Sequence, residues 1–214
     1  QFGTADRAAI KLMISTDFSG TVDAANILKA TWIDISEKAQ WSAGTDQFPS
    51  GNINLDEFAT QNKDMTFAFQ HKTTALKPLA QQNRWVIRSF DVTSTNPELG
   101  TSATSVLTLA NAGWKGYRFD TADPKTAWSI TTAQLITGRS ETELYNDWCI
   151  SKLFNPNKVN PDKGAAIKNI STKLSSYNRV YPAAGTYKVV FVGTNGNVEQ
   201  QRSVTREVAI TVTN

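Results

Sequence analysis

The chain of 214 residues contains a single cysteine, Cys149, and a single histidine, His71. One cysteine cannot form an internal disulfide, so apolar packing and backbone hydrogen bonds must hold the fold together. These two residues are also too few to supply the four ligands of a structural zinc site. We expect Cys149 to be a buried, unreactive thiol in a strand and His71 to lie in an exposed turn.

Long hydrophobic runs and clusters of basic residues are also missing. No apolar segment approaches the roughly 18 residues that a membrane-spanning helix needs, which predicts no transmembrane segment in this chain. Lysine and arginine are scattered singly among threonine, asparagine and serine, so nucleic acid is not an expected partner. The chain starts at Gln1 without the charged and apolar regions of an export signal, so we expect any such signal to have been removed or to lie outside it.

The most informative feature that is present is a turn followed by a long alternating strand, residues 181–195. Pro182 restricts the backbone of the turn, and Gly185 gives it freedom where the strand starts. The strand has two apolar faces, one formed by Tyr187, Val189 and Phe191 and the other by Val190 and Val192. A partner strand is predicted over 204–213, and this pair favours a β-sandwich.

Short alternating segments separated by turn residues recur along the rest of the chain, which predicts an all-β protein. The predicted strands are residues 9–15, 30–35, 52–58, 65–70, 84–92, 105–110, 128–135, 147–154, 165–171 and 175–181. Within 84–92 the apolar phase changes between Ile87 and Phe90, which we interpret as a bulge at Arg88 or Ser89. The length suits two sandwiches of about 100 residues each.

Five short segments follow one another in a characteristic order: residues 14–18, 30–35, 50–55, 66–69 and 85–87. In this order they resemble a family of Bacteroidetes cell-surface lipoproteins of unknown function. The Tyr-x-x-x-Gly-Thr-Tyr of residues 181–187 resembles the entry to the penultimate strand of PKD-type immunoglobulin sandwiches. The resemblance implies a jelly-roll or galactose-binding-like sandwich over 1–110, a linker over 111–127 and a PKD/Ig-like β-sandwich over 128–214. It also implies export to the bacterial cell surface, as an outer-membrane lipoprotein or a secreted protein, and the low cysteine content agrees with such a setting.

Aromatic and acidic side chains supply the candidate site residues. Trp41, Trp114 and Tyr117 lie in polar or glycine-containing surroundings, where rings can be exposed to stack on the apolar faces of sugars or can pack at the sandwich edge. The other four tryptophans lie in alternating strands and are expected in the core: Trp32, Trp85, Trp128 and Trp148. Asp17 and Asp23 are candidate calcium ligands, with a plain Asx-type turn as the alternative. No other cofactor is expected.

These observations support three hypotheses of function. The first is a non-catalytic module for glycan binding or adhesion to extracellular matrix, which follows from the resemblance. The second is a structural subunit that pairs with a partner chain through an open sheet edge, because the family usually has further strands ahead of the one near Ala9. The third is a glycoside hydrolase, which needs two carboxylates; the candidates are Asp17, Asp23, Asp34, Asp46, Asp56, Glu57 and Asp64.

Overall fold

The computed structural model describes residues 9–59, 62–95, 103–121, 126–157, 165–169, 171–196 and 201–213. The chain divides into two compact units, Gln1–Asn160 and Pro161–Asn214. Strands predominate among the described residues, and their α-helices are the short α1 (Ala24–Lys29) and α2 (Asp56–Ala59). Two 3-10 turns cover Ser36–Lys38 and Leu79–Gln81.

The strands of the first unit are short and lie in three antiparallel sheets. They are β1 (Ile10–Ser15), β2 (Ile33–Asp34), β3 (Thr66–Lys72), β4 (Val86–Ile87), β5 (Asp91–Ser94), β6 (Thr104–Thr108), β7 (Lys115–Arg118), β8 (Ser129–Ile130), β9 (Leu135–Ile136) and β10 (Asn146–Ile150). The main sheet has five strands in the order β2–β1–β3–β10–β7. The smaller sheets are β4–β9–β8 and β5–β6.

A hydrophobic core fills one face of the main sheet. Alternate residues of its strands point into this core because side chains of a strand alternate between faces. Those residues include Ile10, Leu12, Ile14, Phe67, Phe69 and Cys149, and they pack against Trp85, Val92, Leu107, Trp128 and Leu135 from the two smaller sheets. The arrangement is a sandwich, and the expected all-β class is confirmed.

The opposite face of the main sheet is covered by α1 and the segments around it. Asp23 begins the helix, because its carboxylate accepts a hydrogen bond from the backbone N–H of Asn26 at 2.8 Å. The helix buries Ile27 against Met13, Ala68 and Ile150 of the sheet in a second cluster that also holds Phe18 and Trp148. Since α1 has only six residues, its cover over this face is short.

The boundary between the two units differs from the predicted one. The sequence placed a linker at 111–127 and began a second sandwich at 128, whereas the structure divides the chain after Asn160. Residues 115–118 and 146–150 are β7 and β10 of the main sheet, where β10 pairs with β3. Pairing between segments so distant in the chain leaves no mark on local periodicity.

Three predicted strands of the first unit take other forms, and one of them, residues 128–135, contributes to the hairpin of β8 and β9. Residues 52–58 end in the helix α2 instead of continuing as a strand. The side-chain oxygen of Asn54 accepts a hydrogen bond from the backbone N–H of Asp56 at 2.7 Å, and the N–H of Phe58 donates to Leu55 O at 2.9 Å. Residues 84–92 contribute to two sheets, β4 and β5, so the change of apolar phase at Arg88 marks the passage from one sheet to the other. The register shift lies later, between Val92 and Thr93.

The strands described in the second unit form a long hairpin, β11 (Gly185–Gly196) with β12 (Gln201–Val212). Both strands were predicted. Residues 165–169 and 171 are not in a strand, because the Asn169 side chain accepts hydrogen bonds from Ser171 N–H and from the hydroxyls of Ser171 and Thr172. Residues 175–181 are also outside strands, so a sandwich in this unit stays a prediction.

Gly116 of β7 lies where no side chain fits. A Cβ atom there would be 2.1 Å from Thr126 Cγ2. Gly116→Ala should therefore displace Thr126 and lower the free energy of unfolding by about 1–3 kcal/mol. Urea unfolding followed by tryptophan fluorescence measures this, since all six tryptophans lie within the first unit.

Lys115→Ala is the matched control, because Lys115 is an exposed residue of the same strand. This change should alter the free energy of unfolding by no more than about 0.5 kcal/mol. Equal effects of the two substitutions would show that Gly116 is not required for close packing.

Candidate functional site

A row of four side chains crosses the main sheet on the face that α1 partly covers. Tyr117 of β7 is opposite Trp148 of β10, Trp148 is opposite Gln70 of β3, and Gln70 is opposite Lys11 of β1. Cross-strand neighbours on one face have Cβ atoms about 5 Å apart, so these side chains lie side by side. Tyr117 and Gln70 are half-buried, and Lys11 is exposed.

Aromatic rings surround this row. The ring of Trp32 is 5.1 Å from that of buried Trp148, and the ring of Tyr117 contacts Phe119 edge to face at 4.9 Å. Trp32 Nε1 donates to Ile27 O at 2.9 Å, which fixes the indole against α1. Trp32, Tyr117 and Phe119 are each half-buried, so part of each ring reaches the surface.

A chain of polar side chains runs beside the rings. Gln70 Nε2 donates to Asn146 Oδ1 at 3.2 Å, and Asn146 Nδ2 donates to Asp120 Oδ2 at 3.3 Å. Asp120 follows β7 with a φ of +61°, a left-handed conformation that aspartate tolerates better than most residues. These bonds orient the two amides and the carboxylate before any ligand arrives.

We call the set Trp32, Gln70, Tyr117, Phe119, Asp120 and Asn146 the open face. Its partly exposed rings offer flat apolar surface, while its amides and carboxylate offer hydrogen-bond donors and acceptors. A sugar presents the complementary combination of C–H faces and hydroxyl groups. The open face is therefore suited to binding a saccharide.

The three predicted stacking residues lie in different places. Trp114 is 8 % exposed and packs in the core against Phe69 and Phe90, so its ring offers no face to a ligand. Trp41 is half-buried, with Nε1 donating to Ser36 O at 2.8 Å and its ring edge-on to Trp85 at 5.5 Å. Of the three, only Tyr117 belongs to the open face.

The two candidate calcium ligands each have a local structural role. Asp17 Oδ1 accepts hydrogen bonds from Ser15 Oγ at 2.8 Å and from Thr31 N–H at 2.8 Å. Burial acts to raise the pKa of Asp17, but hydrogen bonds, including those from Thr31 and Ser15, together lower it below its ordinary value. Asp23 is the cap of α1, and the amide of Asn26 lowers its pKa. Within the described ranges, no three His, Cys, Asp or Glu side chains gather where they could hold a metal ion.

A second polar cluster lies inside the sandwich at the end of the same strands. Asp147 of β10 is opposite Arg118 of β7 and His71 of β3. Its Oδ1 accepts the N–H of Ala127 at 2.9 Å and the hydroxyl of Thr126 at 3.1 Å, while its Oδ2 is 3.8 Å from Arg118 Nε. Burial raises the pKa of Asp147, and these donors and the Arg118 charge oppose the rise.

The single histidine and the single cysteine are both buried in neighbouring strands of the main sheet. His71 lies within β3, which continues to Lys72, and is buried with its ring 5.4 Å from that of Tyr145. The expected exposed turn does not form there because β3 keeps its pairing with β10 as far as Lys72. Cys149 is buried in β10, so its predicted burial in a strand is confirmed. Burial raises the pKa of its thiol, which agrees with the expected low reactivity.

Sequence reasoning missed most of the open face. Trp32 was expected in the core, and Gln70, Phe119, Asp120 and Asn146 were not predicted as ligand-binding residues. One signal was present: Gln70 is a polar residue in phase with Ala68 and Thr66, so the second face of β3 becomes polar toward one end. The pairing that brings β10 and β7 beside Gln70 is not visible in the sequence.

The pKa of Asp147 gives a prediction for stability against pH. Because the folded carboxyl has a pKa above its ordinary value of 3.8, the folded state holds this proton more tightly than the unfolded chain does. Its stabilising contribution is complete below pH 3.8 and is lost as the pH rises through the folded pKa. We expect Asp147→Asn to remove this decline in the free energy of unfolding, measured by urea unfolding between pH 4 and 8.

Asp46→Asn serves as the control, since Asp46 is exposed. It should keep the slope of the free energy of unfolding with pH that the unmodified protein shows. If Asp147→Asn also kept that slope, the carboxyl of Asp147 would not be the group responsible.

Comparisons with known proteins relate this chain to a protein family. No curated protein and no solved structure matches the chain. Within the part of the chain that the structure describes, no helix combines the length and hydrophobicity needed to cross a membrane. Residues 1–114 match the sequence pattern of a domain of unknown function, DUF5017, which covers more than half of the chain. The chain therefore belongs to the DUF5017 family.

Proposed function

We propose that this protein is a non-catalytic glycan-binding or adhesion module and that the open face is its binding surface. The observation that carries the proposal is the row across four strands in which Tyr117, Trp148 and Gln70 are neighbours. Apolar ring surface and pre-oriented amides occur together there, and a saccharide uses both. The sheet supports the proposal because it holds Gln70, Tyr117 and Asn146 at fixed spacing on neighbouring strands.

The same proposal places the protein on the outside of a bacterial cell, as a lipoprotein of the outer membrane or a secreted protein. Two sequence features support this location. The segments that resemble Bacteroidetes surface lipoproteins lie in the first unit, and a chain with one cysteine depends on no disulfide. A glycan-binding surface is useful in that setting, where polysaccharides are met.

Replacing Tyr117 by Ala should remove one ring of the open face while leaving the fold intact, since Tyr117 is only half-buried. We expect affinity for the polysaccharide that retards the protein most in a gel panel to fall by about tenfold, equivalent to about 1.4 kcal/mol. Affinity electrophoresis measures this, and the thermal midpoint should fall only slightly.

Two further variants separate binding from folding. Tyr177→Ala removes a tyrosine that is 49 % exposed in the second unit, and it should leave retardation unchanged. Trp114→Ala removes a core ring and should cost about 3–5 kcal/mol of stability, so it should unfold the first unit at a lower urea concentration. Retardation by no polysaccharide, or full retardation of Tyr117→Ala, would contradict the proposal.

A second candidate function rests on the hairpin of β11 and β12. Among the described residues, neither outer edge of this 24-residue pair is bonded to another strand. Large apolar side chains are exposed on it: Val190, Phe191, Val192, Val204 and Val208. An isolated two-stranded hairpin is marginal in water, so addition of a strand from another chain would stabilise it. This arrangement supports a role as a subunit of a surface assembly.

Val204→Lys tests the assembly role, because Val204 is 60 % exposed. A lysine at that position would place a charge against the apolar surface of a second chain and so disfavour association. If the hairpin self-associates, the unmodified protein should elute as an oligomer at micromolar concentration and the variant as a monomer, as measured by size exclusion with light scattering. Ser203→Lys, on the neighbouring exposed residue, should stay oligomeric. An unmodified protein that is monomeric at every concentration would count against self-assembly.

A further inference from the structure

A cavity of about 280 Å³ lies at the three-stranded sheet β4–β9–β8, away from the open face. Two arginines line it, Arg84 just ahead of β4 and Arg139 just after β9. Hydroxyl residues Ser129 and Thr137 also line it, and none of the lining residues is acidic. The site was not among those indicated by the sequence.

Hydrogen bonds fix the walls of this cavity. Thr137 and Trp85 are bonded twice, from Thr137 N–H to Trp85 O at 3.0 Å and from Trp85 N–H to Thr137 Oγ1 at 2.9 Å. The side chain of Gln82 joins the two segments again, because its Nε2 donates to Ser140 O at 2.7 Å and its Oε1 accepts Ser140 N–H at 3.2 Å. Arg84 and Arg139 therefore extend from backbone segments that are tied to each other.

Gly138 brings a third segment close to this wall. A Cβ atom on Gly138 would lie 2.7 Å from Ala127 Cβ, so only glycine permits the approach. Ala127 in turn is held from behind, since its N–H donates to Asp147 Oδ1 at 2.9 Å. The cavity is thus bounded by segments of fixed spacing on both sides.

The lining of the cavity carries two positive charges and no negative one. Arg84 is exposed and forms no ion pair with the described residues, and Arg139 donates from Nη1 to Leu79 O at 3.3 Å. The carboxylate of Glu141 accepts the backbone N–H of Leu79 at 2.9 Å, so its single negative charge offsets only part of the positive charge. Two guanidinium groups at one cavity repel each other. A bound anion would attract both of them and so offset this repulsion.

We infer that this cavity binds an oxyanion, a sulfate or carboxylate group, between Arg84 and Arg139. Guanidinium groups match planar carboxylates and the oxygens of sulfate by paired N–H donors, and such charge-assisted bonds are stronger than neutral ones. The hydroxyls of Ser129 and Thr137 supply further polar contacts at the cavity wall. The anion comes either from a free ion or from an acidic polysaccharide, and the site does not depend on the open face.

Calorimetric titration of the full chain at constant ionic strength tests this inference, with sodium sulfate, heparin, polygalacturonate and neutral dextran as probes. We expect binding of at least one of the three anionic probes and none of dextran. Arg84→Gln and Arg139→Gln should each weaken that binding about tenfold, the effect of losing one charged hydrogen bond. Binding of sulfate alone would assign a free ion, and binding of the polymers would assign an acidic polysaccharide.

Arg88→Gln is the matched control, because Arg88 is an exposed arginine of the neighbouring segment that pairs with Asp46 rather than lining the cavity. It should change affinity by less than twofold, and Arg84→Lys should bind more tightly than Arg84→Gln. Thermal midpoints verify that each variant is folded. No binding of any anion, equal losses in all three glutamine variants, or equal binding of dextran would overturn the inference. Tyr117→Ala should leave anion binding unchanged, so this test can fail separately from that of the open face.

Discussion

The antiparallel pairing of β3 with β10 is the contact on which the rest of the first unit depends. It joins residues more than 70 positions apart, from Asn146 opposite Lys72 to Ile150 opposite Ala68. Closing so long a loop costs conformational entropy. Burial of apolar side chains on both faces of the sheet offsets this cost. Phe69 and Cys149 enter the sandwich core from one face, and Ala68 and Ile150 meet α1 on the other. Without this pairing Gln70 would not lie beside Trp148.

The two faces of the main sheet differ because they are covered by elements of different size. The core face is covered by two further sheets, which together close it. The other face is covered by a six-residue helix whose buried residue is Ile27, and it leaves Tyr117, Gln70 and Asn146 half-exposed. Gln70, Tyr117 and Asn146 therefore form the part of the open face that lies on the sheet where α1 does not cover it. Aromatic rings at its border reduce the apolar surface left in water, and in the proposed function they are the rings on which a sugar would stack.

Local sequence pattern predicted those elements whose side chains alternate strictly. β1, β3, β10, β11 and β12 fall in this class, as does the burial of Cys149. Trp114 was misplaced because polar and glycine neighbours suggested exposure, although a single side chain can enter a core between them. Residues 84–92 read as one strand because a chain that passes between sheets keeps its apolar character on both sides of the passage. The candidate site was predictable only through Tyr117, since the other members come together by pairing across strands.

The buried Asp147 illustrates why a shifted pKa does not by itself identify a catalytic acid. A general acid must come within hydrogen-bond reach of its substrate. The side chain of Asp147 is 1 % exposed, and one oxygen is already bonded to Ala127 and Thr126 while the other faces Arg118. Arg118 is itself engaged with Glu143 Oε2 at 3.0 Å and lies over the ring of Tyr145.

Desolvation raises the pKa of Asp147 because the sheet encloses it, and the same enclosure keeps a substrate away. The perturbed carboxyl is thus a consequence of how β10 is held between β3 and β7, and it ties the segment at Thr126 and Ala127 to the sheet.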